Sequence, residues 1–308
     1  DDGRMFPTTD RSQTIIDCFI NRAIELKIRI EAGEGVVDVH QNESCFEITT
    51  SSGKILLAQR ILIAIGGNPS PDFYKWIRAL GHEIVPPIPS LFTFNDFDKR
   101  FTDLMGVSVP NGEVRIVGTK LKQEGPVLIT HWGLSGPAVI RLSAWAAEHL
   151  HRMKYEFDVM VSWIGAVSEE EIRKAFAEHK NMRGKQKVIS NPHYALPQRL
   201  WIKLCELAES SDQKIWGELP QKNINRLIEF LIKCPFKIRG KTTFKEEFVT
   251  CGGVDLKEVD FNTMQSKIVP GIYFAGEVLN IDGETGGFNF QAAWSTATIA
   301  ARASASSV

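Results

Sequence analysis

The sequence predicts an α/β (α+β multidomain) protein, and three observations lead to that prediction. The chain has 308 residues, which favours two or three structural units. Residues 60–67, RILIAIGG, are a continuous apolar run that ends in two glycines, which is typical of a strand buried on both faces of a parallel sheet. Strand patterns dominate residues 91–165, whereas helical spacing dominates residues 168–234.

The composition is that of an ordinary globular protein. The formal net charge is −1, which implies no general attraction for polyanions, and we identify no basic stretch longer than KIRGK at 237–241. The five cysteines form no CxxC pair, which favours free thiols in a reducing compartment and predicts no metal site. No apolar run approaches the ~20 residues of a membrane span, and we recognise no signal peptide. We therefore predict a cytoplasmic protein with neither membrane nor nucleic-acid partners.

The first 81 residues predict a helix, a β-meander and a second helix. Residues 11–27 place apolar side chains at helical spacing, with Asp10 or Ser12 as the N-cap. The segments IRIEA, VVDVH, CFEITT and KILLA then group strand formers between Gly and Asn turns, which predicts a short meander. The apolar run at 60–67 follows, and a helix over DFYKWIRALG ends at Gly81.

Three prolines, Pro86, Pro87 and Pro89, mark a predicted domain boundary. The strand-rich segment beyond it is interrupted by one helix, PAVIRLSAWAAEHL. Strands return at FKIRG and FKEEFVT after the helical segment, and the chain closes with a strand at GIYFAGE, a glycine-rich run and a final helix of small residues.

The C-terminal run GIYFAGEVLNIDGETGGFNFQAAW, residues 271–294, is the strongest functional motif. Its strand ends at Gly276 and Glu277, and its helix begins near Asn289, where free amide groups favour an anion or an electron-rich ring edge. Glu277 or Asp282 would accept hydrogen bonds from ribityl or ribose hydroxyls. The glycines that clear side chains from the path of a ligand are Gly283, Gly286 and Gly287. A plain strand–loop–helix connection is the alternative, but three glycines beside two acids and an amide favour a ligand site.

The run ILIAIGGNPSP indicates a ligand site only in combination with that C-terminal motif. Alone, it predicts no more than an apolar strand followed by a tight turn. We expect both strands to end at the same edge of one sheet, which is where ligands bind in open α/β sheets.

A third motif, THWGLSGPAVIRLSAW at 130–145, admits two interpretations. Ser135 is a suitable N-cap and Pro137 suits the first helical turn. In the functional interpretation, His131 and the backbone of residues 133–136 line a substrate or cofactor cleft. In the structural one, the motif is a capped helix start with a structural histidine, and both interpretations stay open. The sequence contains no Walker loop, HExxH, GxSxG or GxGxxG motif.

Taken together, these motifs resemble the BaiN-like (aminoacetone-oxidase-like) NAD(P)/FAD-dependent flavoprotein family. The matching stretches are GRMFPTT, ILIAIGGNPSP, LGHEIVPPIPSLFTF, THWGLSGPA, FVTCGGVDLKEVDFNTMQSK and GIYFAGEVLNIDGETGGFNFQAAWSTA. They cover nearly the whole chain in the family's order, and the last two are the most specific. The resemblance implies a Rossmann-like FAD-binding domain at 1–88 and 251–308, truncated at its N-terminus. It also implies an inserted β-barrel at 89–165 and 235–250 and an inserted helical-bundle subdomain at 166–234.

The resemblance also implies a set of cofactor-binding residues. Gly66 and Gly67 match glycines that pass near FAD, and Glu277 matches the acidic residue that meets the ribityl chain. Val36 corresponds to a strand residue whose backbone faces adenine, and Arg4 lies in the family's GR-x-FP turn. The residues that match the loop and helix start beside the flavin ring are Gly286, Gly287, Phe288 and Asn289.

Three departures from the family pattern qualify the resemblance. Ile65 stands where the family more often has threonine, and Asn280 where it often has aspartate. The strand–GGGxxG–helix segment that holds the FAD pyrophosphate does not precede these motifs, and DDGRMFPTTD has no initiator methionine. We therefore expect that residues have been lost upstream and that the chain as it stands binds FAD weakly or not at all.

The predicted function is that of an FAD-dependent oxidoreductase with NAD(P)H as electron donor and a small-molecule substrate. His131 is the single candidate catalytic residue that we identify. One alternative is a flavoprotein of the tRNA-modifying type, which the neutral net charge disfavours. A non-catalytic fragment is the other.

Overall fold

The computed structural model describes residues 5–43, 45–210, 214–242 and 249–306. The chain divides into two compact units. Unit 1 comprises Asp1–Pro87, Gly252–Ile281 and Gly286–Val308, and unit 2 comprises Ile88–Cys251 and Asp282–Thr285. The finer three-part division given in the sequence analysis stays a prediction. No helix within the described ranges is both long enough and apolar enough to cross a bilayer.

The described residues contain both helices and strands. The α-helices are α1 (Ser12–Glu25), α2 (Lys75–Ala79), α3 (Pro137–Trp145), α4 (Ala147–Arg152), α5 (Glu169–Arg183), α6 (Gln198–Leu207), α7 (Gln221–Ile232) and α8 (Phe288–Ser306). The strands are β1 (Val36–Gln41), β2 (Phe46–Thr50), β3 (Ile55–Ala58), β4 (Ile61–Ile63), β5 (Ile84–Ser90), β6 (Thr93–Asp96), β7 (Ser108–Ile116), β8 (Lys122–Ile129), β9 (Gly133–Ser135), β10 (Glu156–Ser162), β11 (Cys234–Thr242), β12 (Val249–Val254), β13 (Val259–Asp260), β14 (Gln265–Ser266) and β15 (Ile272–Phe274). Short 3-10 helices cover Pro71–Tyr74, Thr102–Leu104, Val188–Ser190, Trp216–Glu218, Leu256–Glu258 and Gly276–Val278.

The first helix of unit 1 is present where the sequence predicts it, but it buries none of its residues. Its apolar side chains are exposed, including Phe19 at 63% and Ile24 at 67%. The predicted caps, Asp10 and Ser12, are wrong: Arg11 is the N-cap, because Asp10 adopts a positive φ of 52° and Ser12 is already helical.

The predicted meander is confirmed for three of its four segments. Strands β1, β2 and β3 form an antiparallel sheet in that order. IRIEA is not a strand, because the chain there terminates α1: Lys27 adopts a positive φ of 55°, and the amide of Ile28 donates to the carbonyl of Ala23 at 2.8 Å. This pattern is the usual left-handed end of a helix.

A four-stranded sheet, in the order β13-β14-β15-β4, forms the second layer of unit 1. β15 and β4 are parallel, with Ile272 opposite Ile61 and Phe274 opposite Ile63. The prediction that residues 60–67 are buried on both faces is wrong, since Leu62 is 40% exposed. The physical reason is that β4 is the edge strand of this sheet and that only one of its faces packs on the unit 1 core, through Ile63.

Unit 2 contains a closed six-stranded antiparallel barrel in the order β10-β11-β6-β9-β8-β7. Phe94 and Phe157 meet edge to face inside it, with ring centroids 5.0 Å apart. Helix α3 begins after Gly136, its N-cap, whereas the predicted cap Ser135 belongs to β9; Pro137 occupies the first turn as predicted. One hydrophobic core runs through the barrel and through α5, α6 and α7.

A cluster of aromatic and imidazole rings fills the centre of these three helices. We call it the histidine–tryptophan cluster, and its members are Phe176, His179, His193, Trp201 and Trp216. The two imidazole rings lie 4.8 Å apart between centroids. The Nε2 atoms of both histidines and Nε1 of Trp216 are buried and have no hydrogen-bond partner among the described residues.

Candidate functional site

The parallel pair of strands brings two sequence motifs to one edge of the unit 1 sheet. Because β4 and β15 run in the same direction and in register, Gly66 and Gly67 follow one strand at the edge where Gly276 and Glu277 follow the other. The expectation that both strands end at the same edge is therefore confirmed. Ligands of open α/β sheets bind at this carboxyl edge.

The glycines at this edge combine a left-handed backbone with open space. Gly66 has a φ of 76° and Gly287 a φ of 92°, and no atom would lie within 4 Å of a Cβ placed at either position. Gly276 and Gly286 also have positive φ, at 74° and 117°, and would meet only side-chain and helix atoms at 3.6 Å or beyond. The backbone is therefore accessible to a flat or extended ligand, and side chains would both strain the turns and occupy that space.

The turn that carries Glu277 is held from two sides. Gly253 packs so closely below it that a Cβ there would lie 2.4 Å from the carbonyl oxygen of Val278. On the other side, the amide of Gly276 donates to the hydroxyl of Thr296 on α8 at 2.9 Å. The amide of Asn280 also donates to the carbonyl of Val254 at 3.1 Å. These contacts fix the direction in which Glu277 leaves the sheet.

Glu277 is a half-buried carboxyl group with no hydrogen-bond or ion-pair partner within the described part of the chain. Burial raises its pKa above the ordinary value. The nearby phenol of Tyr74 accepts a hydrogen bond from the amide of Asn68 at 2.9 Å, and burial, together with the charge of Glu277, raises the pKa of Tyr74. A partly desolvated carboxylate without partners is well suited to accept hydrogen bonds from ligand hydroxyls.

Exposed aromatic rings cluster at the start of α8. Phe288 is 57% exposed, Phe290 70% and Trp294 54%. Phe290 and Trp294 are four residues apart and therefore lie on the same side of the helix. Asn289 is partly buried beside them. These rings offer apolar surface next to the accessible backbone of Gly287.

Two of the predicted cofactor residues belong to another sheet or lie outside the described residues. Val36 begins β1, is 41% exposed, and pairs with Thr50 in the separate meander sheet. Arg4 lies outside the residues that the structure describes. The assignment of both to a cofactor stays a prediction.

Asp282 and Gly283 belong to unit 2. The hydroxyl of Ser90 donates to Oδ2 of Asp282 at 2.7 Å, and the thiol of Cys251 is a second partner. Burial raises the pKa of Asp282, and burial together with this carboxylate raises the pKa of Cys251 to about 12. Asp282 is thus engaged within unit 2, and its predicted role toward a sugar hydroxyl stays a prediction.

His131 is exposed in the turn between β8 and β9, with its ring 3.8 Å from that of Trp132. The glycines beside it have a packing explanation. A Cβ on Gly133 would lie 2.2 Å from the carbonyl oxygen of Phe94, and one on Gly136 would lie 2.7 Å from that of Pro126. Barrel packing therefore accounts for these glycines, and the catalytic role of His131 stays a prediction.

Four residues at the unit 1 edge were missed by the sequence reasoning. Tyr74 and Thr296 act through single hydrogen bonds to distant backbone amides, which no local pattern indicates. Phe290 and Trp294 did carry a signal, because large aromatics are unusual on a helix made of small residues.

The two units define a mixed α/β protein, in which the segment that forms a closed antiparallel barrel separates two sequence segments of unit 1. More specifically, the chain belongs to the family described as HI0933-like protein Rossmann domain, whose model matches residues 1–303. This is a family of FAD-binding Rossmann flavoproteins, and the resemblance to the BaiN-like family is confirmed.

Three curated relatives are similar over most of the chain. A ribosomal RNA dihydrouridine synthase of Escherichia coli is 28% identical over 304 residues, covering 96% of this chain and 72% of the relative. A 3-dehydro-bile acid delta(4,6)-reductase of Clostridium scindens is 27% identical, covering 98% and 76%. A ribosomal RNA dihydrouridine synthase of Haemophilus influenzae is 32% identical, covering 78% and 58%. Because two of these relatives are named for ribosomal RNA, the prediction that nucleic acid is not a partner is not confirmed.

Proposed function

We propose that the protein is an FAD-dependent oxidoreductase that takes electrons from NAD(P)H and reduces an activated carbon–carbon double bond of a small molecule. The observation that carries this proposal is the glycine-lined edge of unit 1, where Gly66 and Gly287 leave the backbone open at the carboxyl ends of two parallel strands. Barrel glycines such as Gly133 are explained by packing, whereas these two are not.

The residues at this edge fit a flavin nucleotide. Glu277 is desolvated and without a partner in the described part of the chain, so it would accept hydrogen bonds from the ribityl chain. Phe288 and Phe290 would contact a flat ring, and the backbone at Gly286 and Gly287 would pass close to it. Bound flavin supplies hydride transfer, while the protein positions the substrate and excludes water.

The substrate class is suggested by the relatives. Dihydrouridine synthase and delta(4,6)-reductase are both names for the addition of hydrogen across carbon–carbon double bonds. Such a reduction also needs a proton. His131 stays the candidate donor that the sequence predicts.

The test is a titration of the chain with FAD up to millimolar concentrations, because weak binding is expected, followed by flavin fluorescence and then by anaerobic addition of NADH or NADPH. Gly66→Val is compared with Gly118→Val, because Gly118 has nearly the same φ, 78° against 76°, and equally open surroundings, but lies in unit 2. Both variants carry the same backbone strain. We expect Gly66→Val to weaken FAD binding at least tenfold relative to Gly118→Val. Equal affinities in the two variants, or no bleaching of bound flavin by either nicotinamide, would contradict the proposal.

A second candidate function is flavin-dependent modification of RNA. The observation that favours it is the absence of Asp and Glu between Glu178 and Glu206, a segment that contains six Lys and Arg residues. The overall net charge of −1 hides this local excess. Two relatives are named for ribosomal RNA, which supports the same candidate.

A further inference from the structure

A short basic segment follows the end of helix α5. Residues 180–187, KNMRGKQK, contain four cations in eight positions, and we call this segment the basic turn. It is longer than KIRGK at 237–241, so the interpretation that no basic stretch exceeds KIRGK is wrong; its cations are separated by uncharged residues and are therefore less dense. Its net charge is +4, since it contains no acidic residue.

Three of these cations are available to a ligand. Arg183, Lys185 and Lys187 are exposed and form no ion pair with any residue that the structure describes. Elsewhere in unit 2, comparable side chains are paired: Arg173 meets Glu169 at 2.6 Å, and Lys203 meets Asp103 at 3.2 Å. Exposed cations without an ion pair to any described residue also occur singly elsewhere in unit 2, as at Lys99, Lys120 and Lys154, whereas the basic turn places three of them within five positions.

Backbone hydrogen bonds hold the basic turn in one conformation. The amide of Gly217 donates to the carbonyl of Gly184 at 2.8 Å, and that of Trp216 donates to Gln186 at 3.0 Å. The amide of Val188 donates to the carbonyl of Lys214 at 3.0 Å. Since Trp216 fills the histidine–tryptophan cluster, the turn is fastened directly to the core, and its side chains project from a rigid base.

The end of a helix explains only part of this charge. Lys180 and Arg183 lie in the last turn of α5, where cations interact favourably with the helix dipole. Lys185 and Lys187 lie beyond the end of the helix, so the helix dipole does not stabilise their charges to a similar extent. The opposite segment, 214–218, contributes both Lys214 and Glu218, which leaves the excess positive.

An exposed aromatic ring lies on the loop that is tied to this turn. Nδ2 of Asn191 donates to Oε1 of Gln186 at 2.9 Å and so fastens the loop that contains Tyr194. Tyr194 is 37% exposed. Cations that neutralise phosphates next to an aromatic ring that can stack on a base are the usual elements of an RNA-binding surface.

We propose that the basic turn binds the phosphate backbone of RNA through Arg183, Lys185 and Lys187. This inference deepens the second candidate function, and it does not depend on the flavin site. Contacts of this kind position a nucleic acid without reading its sequence, and their strength falls steeply with salt.

The experiment measures binding of the full chain to a fluorescein-labelled RNA hairpin of about 20 nucleotides by anisotropy, at several KCl concentrations. The test variant is Arg183→Gln, Lys185→Gln and Lys187→Gln together. The matched control replaces Lys99, Lys120 and Lys154 by Gln, three exposed cations of the barrel segment that form no ion pair with described residues. We expect the test variant to bind at least tenfold more weakly, and the negative slope of log K against log[KCl] to decrease in magnitude by about 2 to 3.

The outcomes separate this proposal from its alternatives. The double variant Lys185→Arg and Lys187→Arg should retain binding, because it preserves charge. Equal losses in test and control variants, or no measurable binding by the parent chain, would overturn the proposal. It would also be overturned if the test variant lost affinity for vesicles containing phosphatidylserine but kept its affinity for RNA. Failure of RNA binding leaves the FAD titration unaffected, so the two proposals fail separately.

Discussion

His193 provides a quantitative test of the histidine–tryptophan cluster. Burial and the nearby His179 lower the pKa of His193 from 6.5 to about 4. The folded protein therefore keeps this imidazole neutral over a range in which the unfolded chain takes up a proton. The free energy of unfolding is unaffected above about pH 7 and falls as the pH drops from about 6.5 toward 4.

The size of the effect follows from the shift. A difference of 6.5 − 4 = 2.5 pH units corresponds to about 3 kcal/mol at about 1.4 kcal/mol per unit, and partial exposure of the ring reduces this to about 2 kcal/mol. His179 acts in the same direction, because burial and Arg183 lower its pKa too. Replacing His193 by Phe keeps a ring against Phe176 and Trp216 but removes the titration.

The assay is urea unfolding followed by tryptophan fluorescence at pH 7.0, 5.5 and 4.5. We expect the parent to lose about 2 kcal/mol more than His193→Phe between the highest and lowest pH. His151→Phe, which replaces an exposed imidazole beside Tyr155, is the control. If His193→Phe lost as much stability on acidification as the parent, the assignment of acid sensitivity to this cluster would be wrong.

Two further predictions concern packing and thiol reactivity. Gly253→Ala should lower the free energy of unfolding by about 2–4 kcal/mol, because its methyl group would lie 2.4 Å from the carbonyl oxygen of Val278. Gly286→Ala is the control: its φ of 117° is close to the 120° of Gly253, but its methyl group would meet only the ring of Phe288 at 3.6 Å, so it should lose only about 1 kcal/mol. Equal losses by urea unfolding would refute the reasoning. Cys251, with its pKa raised to about 12, should react with an aromatic disulfide reagent at pH 8 far more slowly than the exposed Cys18, and a single fast phase for all thiols would contradict this.

Local patterns predicted the edge of the sheet, because its signals are carried by adjacent residues. A β-rich run ending in Gly66 and Gly67, and another ending in Gly276 and Glu277, are each readable from a few positions, and the parallel pairing of β4 with β15 brings them together. The change from strand to helical spacing near residue 166 likewise agrees with the observed order of elements in unit 2.

The errors arose where distant residues decide the outcome. Whether Leu62 is covered depends on which elements flank β4, and this is not encoded in the run itself. Ser135 has a side chain that suits an N-cap, but its backbone pairs with Leu128 of β8. The helix therefore begins one residue later, with Gly136 as its N-cap. The contact between His179 and His193 joins segments 14 positions apart (193 − 179), so their protonation behaviour could not be inferred from sequence.

Distant residues also determine the surroundings of the predicted cofactor-binding residues. Glycine spacing indicated where side chains are absent, but Thr296 and Tyr74, which orient the turns at the edge, are visible only in three dimensions. Conversely, Gly133 and Gly136 were candidates for lining a cleft, but the structure explains them by packing. Neighbouring barrel strands approach so closely that a Cβ at either position would overlap a backbone oxygen. A glycine-rich motif thus acquires a functional interpretation only once its surroundings are known.

The insertion of unit 2 between two halves of unit 1 has a consequence for biosynthesis. Ile61 of β4 pairs with Ile272 of β15, which is synthesised 272 − 61 = 211 positions later. At translation rates of about 5–20 residues per second, β4 leaves the ribosome about 10–40 s before its partner. Nearly all of unit 2 emerges within that interval. Unit 2 is therefore almost fully synthesised before the last segments of unit 1 are available. Until then, the early strand presents an unpaired edge to other proteins, and any substitution that delays ribosomal elongation through the insert prolongs that exposure.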